Sequence, residues 1–521
     1  MTRFVIPGGV SSFLMRRVFI GLLAVSVPAC ALWNGDGSLP PPRPAPRPAP
    51  SPHPTPTPIE TAAPTTDPLG ARPALPPPPR FAPPVPVAYQ RASGMTVWLL
   101  ERHALPVVSI DVVVPAGAAS DPEGKGGLAL QTANMLDEGA GARGAVEISR
   151  DIDRLGATLS TGATSDYAFA SVTTLKKNLR PAAAILGDVV AKPTMSPVEW
   201  KRVHDLWMNE LKARASEPDA VAAVVSLRQV FGEGPYGHPT NGTLKSAAKV
   251  SLDDVKTFYG AAWRPDRATA VVVGDVTKAE LEPLLDQVFA AWKAPAGTAP
   301  VAAAEAAKKA PPPSRRVVVV DRPDAPQSVL AVVRPGVAAS DRDAAPVVRV
   351  NTALGGSFTS RLNQDLREEH GWSYGARSRF SFNKAQGIFS AQAAVHTEHT
   401  GDALKAMLAD LDAITREGLT DEEVEKTRLI ARSELVESFE GVDAAARRLA
   451  RNAGVGLPPD HETRASAALD AATKDDLKKL AAKYVDATNA IVVIVGPRAK
   501  IDPQLKAIGI IAVQASGPEG D

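Results

Sequence analysis

The alternation of apolar and polar positions predicts a folded body that begins near residue 87. Residues 107–114 are rich in β-branched side chains and alternate weakly, which indicates a strand with at least one buried face. Residues 175–190 and 196–214 carry apolar positions at helical spacing, and Ser196 followed by Pro197 is a favourable helix start. Runs of strands with helices grouped between them favour the α+β class, with helices packed on one side of a mostly antiparallel sheet.

The same pattern occurs twice along the chain. Residues 114–121 and 334–341 share an Ala-Ala-Ser-Asp ending, and their serines, Ser120 and Ser340, are 220 residues apart. The β-branched runs that end at Gly274 and Gly496 are 222 residues apart, as are the predicted helix starts Ser-Leu-Asp-Asp and Thr-Lys-Asp-Asp. This spacing is far too long for a solenoid repeat. It predicts two homologous domains.

Composition divides the chain into six segments. The whole chain contains 48 prolines, and many of them precede residue 100. We expect the Pro-rich residues 38–86 to form no core and to be semi-extended polyproline, which at about 3.1 Å per residue could reach roughly 140 Å at most. We assign a signal peptide at 1–30, a Pro-rich tether at 31–86, an N-terminal domain at 87–293, an Ala/Pro linker at 294–314, a C-terminal domain at 315–500 and a tail at 501–521.

The first segment has the features of a bacterial lipoprotein signal. Two arginines precede a short apolar run at 18–29, and Cys30, the one cysteine of the chain, follows. We expect Cys30 to be lipidated and the protein to be anchored in the cell envelope, with Ala31 favouring the outer membrane facing the periplasm. The alternative is an ordinary secretory signal with an incidental cysteine. A net charge of +1 argues against a nucleic-acid partner.

Residues 126–140 carry the most informative motif, Gly-Gly-Leu-Ala-Leu-Gln-Thr-Ala-Asn-Met-Leu-Asp-Glu-Gly-Ala. This stretch is similar to the active-site helix of the pitrilysin/insulinase family of zinc peptidases. Residues 151–160 and 235–243 also resemble that family, as do residues 354–362 and 366–374 in the second half. The resemblance covers roughly residues 87–500 and implies that the two domains form a clamshell, with a chamber between them that holds an extended peptide.

Active members of the family carry H-x-x-E-H on this helix, because residues i and i+4 share a helix face and can hold one zinc ion. The matching positions here are Leu130, Ala133 and Asn134, and the helix contains no histidine. The family's third ligand is a glutamate, which corresponds to Glu210. Alone, Glu210 is a relic ligand position or an ordinary solvated carboxylate. The resemblance therefore implies no catalytic residue and no zinc on this chain.

A second motif of the family is retained. Its second domain supplies an Arg and a Tyr, seven residues apart, to the substrate, and the matching residues are Arg367 and Tyr374. An Arg offers fixed donors to peptide carbonyls, and a Tyr hydroxyl can donate to a developing oxyanion. The alternative is that Arg367 forms a surface ion pair with Glu368 and that Tyr374 packs within its strand.

Three functions are compatible with these features. The first is a non-catalytic subunit that contributes Arg367 and Tyr374 to a site shared with a zinc-bearing homologous peptidase in a heterodimer. The second is a peptide-binding or scaffold lipoprotein that needs no protease partner. The third is an active metallopeptidase with an unrecognised metal site, for which His396 and His399 are the visible candidates, although their spacing is not that of the family.

Overall fold

The first described strand begins at Val87, where the apolar pattern predicts the folded body to begin. The computed structural model describes residues 81–294, 296–297, 299, 301 and 316–520. The predicted signal peptide with Cys30, the tether up to residue 80 and most of the linker lie outside the described residues. Those assignments stay predictions.

Strands of the described chain form two six-stranded sheets and one small ribbon. In chain order they are β1 (Val87–Gln90), β2 (Thr96–Glu101), β3 (Val107–Val114), β4 (Gly139–Ala140), β5 (Arg143–Gly144), β6 (Thr158–Ala163), β7 (Ala168–Leu175), β8 (Thr269–Gly274), β9 (Arg316–Asp321), β10 (Gln327–Pro335), β11 (Ser373–Ser381), β12 (Ile388–His396), β13 (Ile491–Gly496) and β14 (Val513–Ala515). Sheet 1 has the order β1-β2-β8-β3-β7-β6, and sheet 2 has the order β11-β12-β10-β13-β9-β14. Antiparallel pairing predominates, and β2·β8, β9·β13 and β9·β14 pair in parallel.

Helices occupy most of the remaining described chain. They are α1 (Leu128–Asn134), α2 (Ala145–Arg154), α3 (Leu179–Ala191), α4 (Pro197–Arg214), α5 (Pro218–Phe231), α6 (Leu244–Ala247), α7 (Leu252–Ala262), α8 (Lys278–Val288), α9 (Val347–Asn351), α10 (Arg361–Asn363), α11 (Thr400–Glu417), α12 (Asp421–Glu437), α13 (Val442–Gly454), α14 (His461–Ala471), α15 (Lys474–Tyr484) and α16 (Arg498–Ala507). Two π-helical turns, Thr352–Gly356 and Gln364–Glu369, flank α10.

The sheet topology confirms the duplication. When sheet 2 is followed from β14 to β11, each strand from β9 onwards takes the place of one strand of sheet 1: β9 of β2, β13 of β8, β10 of β3, β12 of β7 and β11 of β6. The parallel pair β2·β8 corresponds to the parallel pair β9·β13. The edge beyond them is filled differently, since β1 pairs antiparallel with β2 whereas β14 pairs parallel with β9.

Side-chain caps define the N-termini of α7, its counterpart α15 and α4. The Ser251 side chain accepts a hydrogen bond from the backbone of Asp254 at the start of α7, and Thr473 accepts one from Asp476 at the start of α15. Ser196 caps α4 in the same way, with Pro197 as the first helical residue. These caps satisfy backbone donors that the first helical turn leaves unpaired. The predicted starts of all three helices are confirmed.

The central, valine-rich strands of each sheet are buried on both faces. In sheet 1, Val272 of β8 faces a core with the helices of its own half, whereas Val271 and Val273 face the opposite way. That second face is covered by α13, whose Leu449 is fully buried against it. Because α13 comes from the C-terminal half of the chain, the cover of sheet 1 is supplied by the other half.

Sheet 2 is covered in the reciprocal way. Helix α5 of the N-terminal half packs Val221 and Val225 against Val329, Val493 and their neighbours on the second face of sheet 2. The two halves therefore exchange equivalent helices and share two apolar cores. Burial of this apolar area holds the halves together as one compact unit. The sequence pattern predicted the helices but not this exchange.

Two predicted boundaries differ from the structure. The helix predicted to begin at residue 175 begins at Leu179, because β7 continues to Leu175. The predicted tail at 501–521 is wrong as a boundary, since α16 and β14 lie there and β14 extends sheet 2. Ile501 and Leu505 are fully buried against that sheet. Within the described residues, none of the helices combines the length and apolarity that a bilayer crossing requires.

Candidate functional site

Helix α1 stands where the resemblance places the zinc-binding helix. The carboxylate of Asp121 accepts hydrogen bonds from the backbone of Gly127 and Ala129, both at 2.7 Å, and so caps the helix. Leu128 and Ala133 are buried in the core of sheet 1. Leu130 and Asn134 lie one turn apart and are both partly exposed, so they share the solvent-facing side.

The side chains on this face cannot hold a metal ion. Leu130 has no donor atom, and Ala133 is fully buried and cannot accept a proton. The Asn134 amide donates to the side-chain oxygen of Gln131 at 3.4 Å. Among the described residues, no group of three or more His, Cys, Asp or Glu side chains could hold a metal. The donors present do not fit zinc, in agreement with the degenerate motif.

Glu210 lies on α4 with its side chain exposed to solvent. One turn earlier on the same helix, Trp207 is buried and donates its indole N–H to the carbonyl of Asn241 at 2.8 Å. A side chain at Gly127 would meet the Trp207 ring at 2.6 Å, so α4 passes directly beside the start of α1. Glu210 is a solvated carboxylate next to a helix that offers no second ligand.

Restoring the two missing imidazoles tests the assignment of these positions. We predict that Leu130→His combined with Asn134→His gains zinc binding, because both positions face solvent one helical turn apart. Adding Glu210→Gln should weaken the zinc affinity if Glu210 occupies the third ligand position. Metal content after dialysis and competition with a chromogenic chelator measure both effects. A double variant that retains no more zinc than the parent would contradict the assignment.

The remaining histidines make other contacts. His399 stacks on the ring of Trp372 at 5.5 Å, and His396 lies 6.5 Å from the ring of Tyr374. His204 contacts the carbonyl of Ala247 at 3.1 Å. The third function considered above therefore has no visible metal site among the described residues.

Arg367 is positioned by a buried neighbour and a widened helical turn. It lies in the π-helical turn Gln364–Glu369, whose Leu366 is fully buried in the core of sheet 2. The chain then reverses at Gly371, which has φ +64°, and the backbone N–H groups of Gly371 and Trp372 donate to the carbonyls of Arg367 and Leu366. The left-handed conformation favours glycine at this point. Single π-helical turns occur frequently at functional sites.

A β-bulge directs Tyr374 outward. The register of β11 against β12 shifts between Ser373 and Ala376. Within the bulge, the Ser373 hydroxyl contacts the carbonyl of Ala394 at 2.8 Å, and the side-chain oxygen of Asn363 accepts the N–H of Ala376 at 2.8 Å. Bulges re-aim side chains. Tyr374 is 84% exposed, which excludes the alternative that it packs within its strand.

The contacts of Arg367 leave its donors accessible. Its guanidinium lies 4.6 Å from the centre of the Phe358 ring, and its ion pair with Glu368 is long, at 3.6 Å. The ion pair of the alternative interpretation therefore exists, but it leaves other N–H groups of the Arg367 guanidinium free to donate. Phe358 is itself 67% exposed, so an aromatic plane and a cation stand together at the surface.

Arg367 and Tyr374 line one surface pocket of about 340 Å³. The pocket also includes Phe358, Asn363 and Arg377, three residues that the sequence reasoning did not single out. Phe358 lies in the Leu-Gly-Gly-Ser-Phe stretch that resembles the family, so its position in this motif could have marked it as a candidate site residue. Arg377 was not recognisable, because only the bulged strand brings it beside Tyr374.

The pocket adjoins an unpaired strand edge. In the described sheets, β11 pairs with β12 alone and β6 pairs with β7 alone, so each sheet ends in an open edge at equivalent positions. Helix α1 packs against β6, and the Arg367 turn packs against β11. An extended peptide can add to such an edge through main-chain hydrogen bonds.

Two family models match this chain in succession. The model described as Insulinase (Peptidase family M16) matches residues 96–244, and the model described as Peptidase M16 inactive domain matches residues 249–430. An uncharacterized zinc protease of Mycobacterium tuberculosis is 26% identical over 351 residues, which are 67% of this chain and 80% of the relative. A non-peptidase homolog of Helicobacter pylori is 21% identical over 333 residues, 63% of this chain and 74% of the relative.

The fold has counterparts among solved structures. The crystal structure of a peptidase M16 inactive domain from Pseudomonas fluorescens superimposes with a TM-score of 0.73 at 24% identity, and the match covers 79% of this chain and 98% of that one. At this identity the likeness shows the fold alone, and it confirms the predicted α+β, two-domain class. The two family models together span more than half of the chain, and this chain therefore belongs to the insulinase (M16) family of peptidases and their homologues.

Proposed function

We propose that this chain is a non-catalytic insulinase-family homologue that binds extended peptide and supplies Arg367 and Tyr374 to a site shared with a zinc-bearing partner subunit. The observation that carries the proposal is the pocket in which these two side chains meet beside the open edge of β11. A peptide paired to β11 would present its backbone carbonyls to both donors.

The charge of the pocket supports this role. Arg367 and Arg377 line it on one side, and Asp219 of α5 lies on the other, where it accepts a hydrogen bond from Gln392 at 2.6 Å. The arginines outnumber the carboxylate, which favours groups that accept hydrogen bonds or carry negative charge. A peptide carbonyl, or the oxyanion formed from it, is such a group.

Peptide cleavage in this family needs a zinc site, and the described residues contain no group that could form one. Positions Leu130, Ala133 and Asn134 offer neither metal ligands nor a general base, and α1 is held in the core with Ala133 fully buried. The zinc and its ligands would therefore come from a homologous peptidase subunit in a heterodimer. No cofactor is proposed for this chain itself.

We further propose that the protein is anchored in the cell envelope by lipid on Cys30, in the outer membrane and facing the periplasm. The support is the sequence of residues 16–31 and the Pro-rich stretch that follows it. An extended tether would place the folded body away from the membrane surface, within reach of a partner.

Isolation of the full chain from native membranes under mild detergent tests the shared-site proposal. We expect a zinc-bearing insulinase-family homologue to co-purify, and the complex to cleave extended peptides in a chelator-sensitive manner while the isolated chain does not. If the isolated chain binds peptide and no homologous subunit is recovered, the binding or scaffold function replaces this one. Stoichiometric zinc with turnover in the isolated chain would establish the third function.

The binding or scaffold function has one observation in its favour. Both sheets end in strands, β6 and β11, whose outer edges remain unpaired among the described strands. Such edges accept an added strand without any metal chemistry. This candidate predicts that the isolated chain binds peptide with full affinity in the absence of a partner.

A further inference from the structure

A second pocket lies on sheet 1, on the face covered by the exchanged helix α13. Its volume is about 320 Å³, at the lower end of the range of small-molecule sites. Its walls are hydroxyl side chains of β3, β6 and β7 together with two aromatic rings, and Asp443 and Arg447 of α13 stand at its side. Asp111 of the central strand β3 lies at its floor.

This pocket is the counterpart of the Arg367 and Tyr374 pocket in the other half. Each is lined by the edge strand of its sheet and the strand beside it, and by the first turn of the exchanged helix. Asp443 is the second residue of α13, and Asp219 is the second residue of α5. The duplication thus places one pocket beside β6 and one beside β11, with different side chains in each.

The charge of the floor is not neutralised. Asp111 is only 3% exposed, and its carboxylate accepts one hydrogen bond, from the hydroxyl of Ser109 at 3.1 Å. Ser109 in turn accepts from the hydroxyl of Thr173 at 3.0 Å. Among the described residues, the structure shows no ion pair to Asp111. A buried carboxylate without a cation is costly, so its presence at the floor of a pocket calls for a cationic ligand.

The charged groups nearby cancel each other. Arg447 forms an ion pair with Asp443 at 2.7 Å on the same helix. Tyr167, directly before β7, lies near Asp111, and Arg451 of α13 lies near its phenol. When Asp111 is ionised, the pocket lined by Asp111, Asp443 and Arg447 carries one net negative charge. A metal ion is a poor occupant, since only two carboxylates are present and one of them is already paired.

The remaining lining fits an organic cation. The rings of Tyr167 and Phe169 lie 6.4 Å apart and both border the pocket. Aromatic faces attract ammonium and guanidinium groups, and hydroxyl oxygens accept their N–H donors. Ser160 and Thr158 of the edge strand β6 belong to the same wall. A peptide that lies across this face of the sheet would bring a basic side chain to Asp111, whereas a strand paired to the edge of β6 would be separated from β3 by both β6 and β7.

We propose that the Asp111 pocket binds the ammonium or guanidinium group of a Lys or Arg side chain in a bound peptide. The proposal rests on the peptide-binding function given above and names the side chain that the N-terminal half selects. The two pockets then differ in polarity: the pocket beside β11 receives oxygen atoms of the peptide, and the pocket beside β6 receives a basic side chain.

Calorimetry on the full chain tests the pocket with a matched pair of probes. The probes are extended peptides of the same sequence with Lys or norleucine at one position, titrated at pH 8. We expect the Lys peptide to bind at least 10-fold more tightly, and Asp111→Asn to abolish that preference. Asp421→Asn, which removes a 93% exposed carboxylate outside both pockets, should leave the preference intact. Equal affinities of the two peptides, or a preference that survives Asp111→Asn, would overturn the proposal.

The pH dependence of the Lys preference is a second measurement of the proposal. Burial raises the pKa of Asp111 to about 7, with only a partial offset from Ser109 and Arg447. Because a Lys ammonium keeps its proton throughout this range, the Lys preference should grow between pH 6 and pH 8. Tight binding of both peptides without a preference would sink this inference and leave peptide binding intact. Binding of spermidine, but of neither peptide, would overturn a peptide as the occupant and the proposed function with it.

Discussion

In a complex with a zinc-bearing partner, Arg367→Ala should lower kcat/KM for peptide cleavage by about 100-fold, which corresponds to roughly 2.7 kcal/mol of lost transition-state stabilisation. The reason is geometric, since the guanidinium is held over Phe358 with part of its donor fork free. Tyr374→Phe removes one hydroxyl donor from an exposed ring and should lower kcat by a comparable factor. Steady-state kinetics of the purified complex measure both effects.

The chain offers a matched control for the arginine. Arg342 also makes a long ion pair with its next neighbour, 3.8 Å to Asp343, and its side chain is 95% exposed. Arg342→Ala removes the same charge outside the pocket and should leave cleavage unchanged. Full activity of both Arg367→Ala and Tyr374→Phe would show that the partner completes its site without this chain. Retained co-purification of each variant excludes a simple loss of assembly.

The second large effect concerns stability. Burial raises the pKa of Asp111 from 3.8 to about 7, so the folded chain holds a proton that the unfolded chain has released. The free energy of unfolding should therefore fall as the pH rises from about 4 to about 7, and the fall due to this group is on the order of 4 kcal/mol. Asp111→Asn removes the titrating group. We expect the variant to be the more stable protein at pH 8 and to lack this part of the pH dependence.

Urea denaturation at pH 5 and pH 8 measures the difference. The control is Asp219→Asn, which removes an exposed carboxylate and should leave the difference between the two pH values as in the parent chain. If the free energy of unfolding depends on pH equally in the parent and in Asp111→Asn, burial does not raise the pKa of Asp111. A stabilising Asp111→Asn substitution that also loses the Lys preference would indicate that the buried charge serves binding at the expense of stability.

Much of the site was readable from the sequence because its signals are local. The loss of metal ligands on α1 follows from the identities of Leu130, Ala133 and Asn134 alone. The spacing of Arg367 and Tyr374 spans a single turn with a glycine, so a short window contains both. What could not be read was their exposure, because it depends on a bulge that Asn363 and Ala394 stabilise from outside the motif.

The Asp111 pocket shows where sequence reasoning stops. An aspartate inside the apolar run of β3 is visible in the sequence, but its meaning depends on Thr173 and on Arg447, more than 300 residues away. Nothing in the pattern of α13 distinguishes a helix that covers its own sheet from one that covers the sheet of the other half. Both arrangements bury the same apolar stripe.

The sequence by itself determined the elements, their duplication, the caps at Ser251 and Thr473, and the absence of a zinc motif on α1. Each of these features depends on a short stretch of sequence, through hydrophobic periodicity, capping residues or the identity of one side chain. The tertiary structure alone decided the exchange of α5 and α13 and the two pockets beside β6 and β11. These depend on contacts between residues far apart in the chain, which become neighbours only when both sheets bury their second faces.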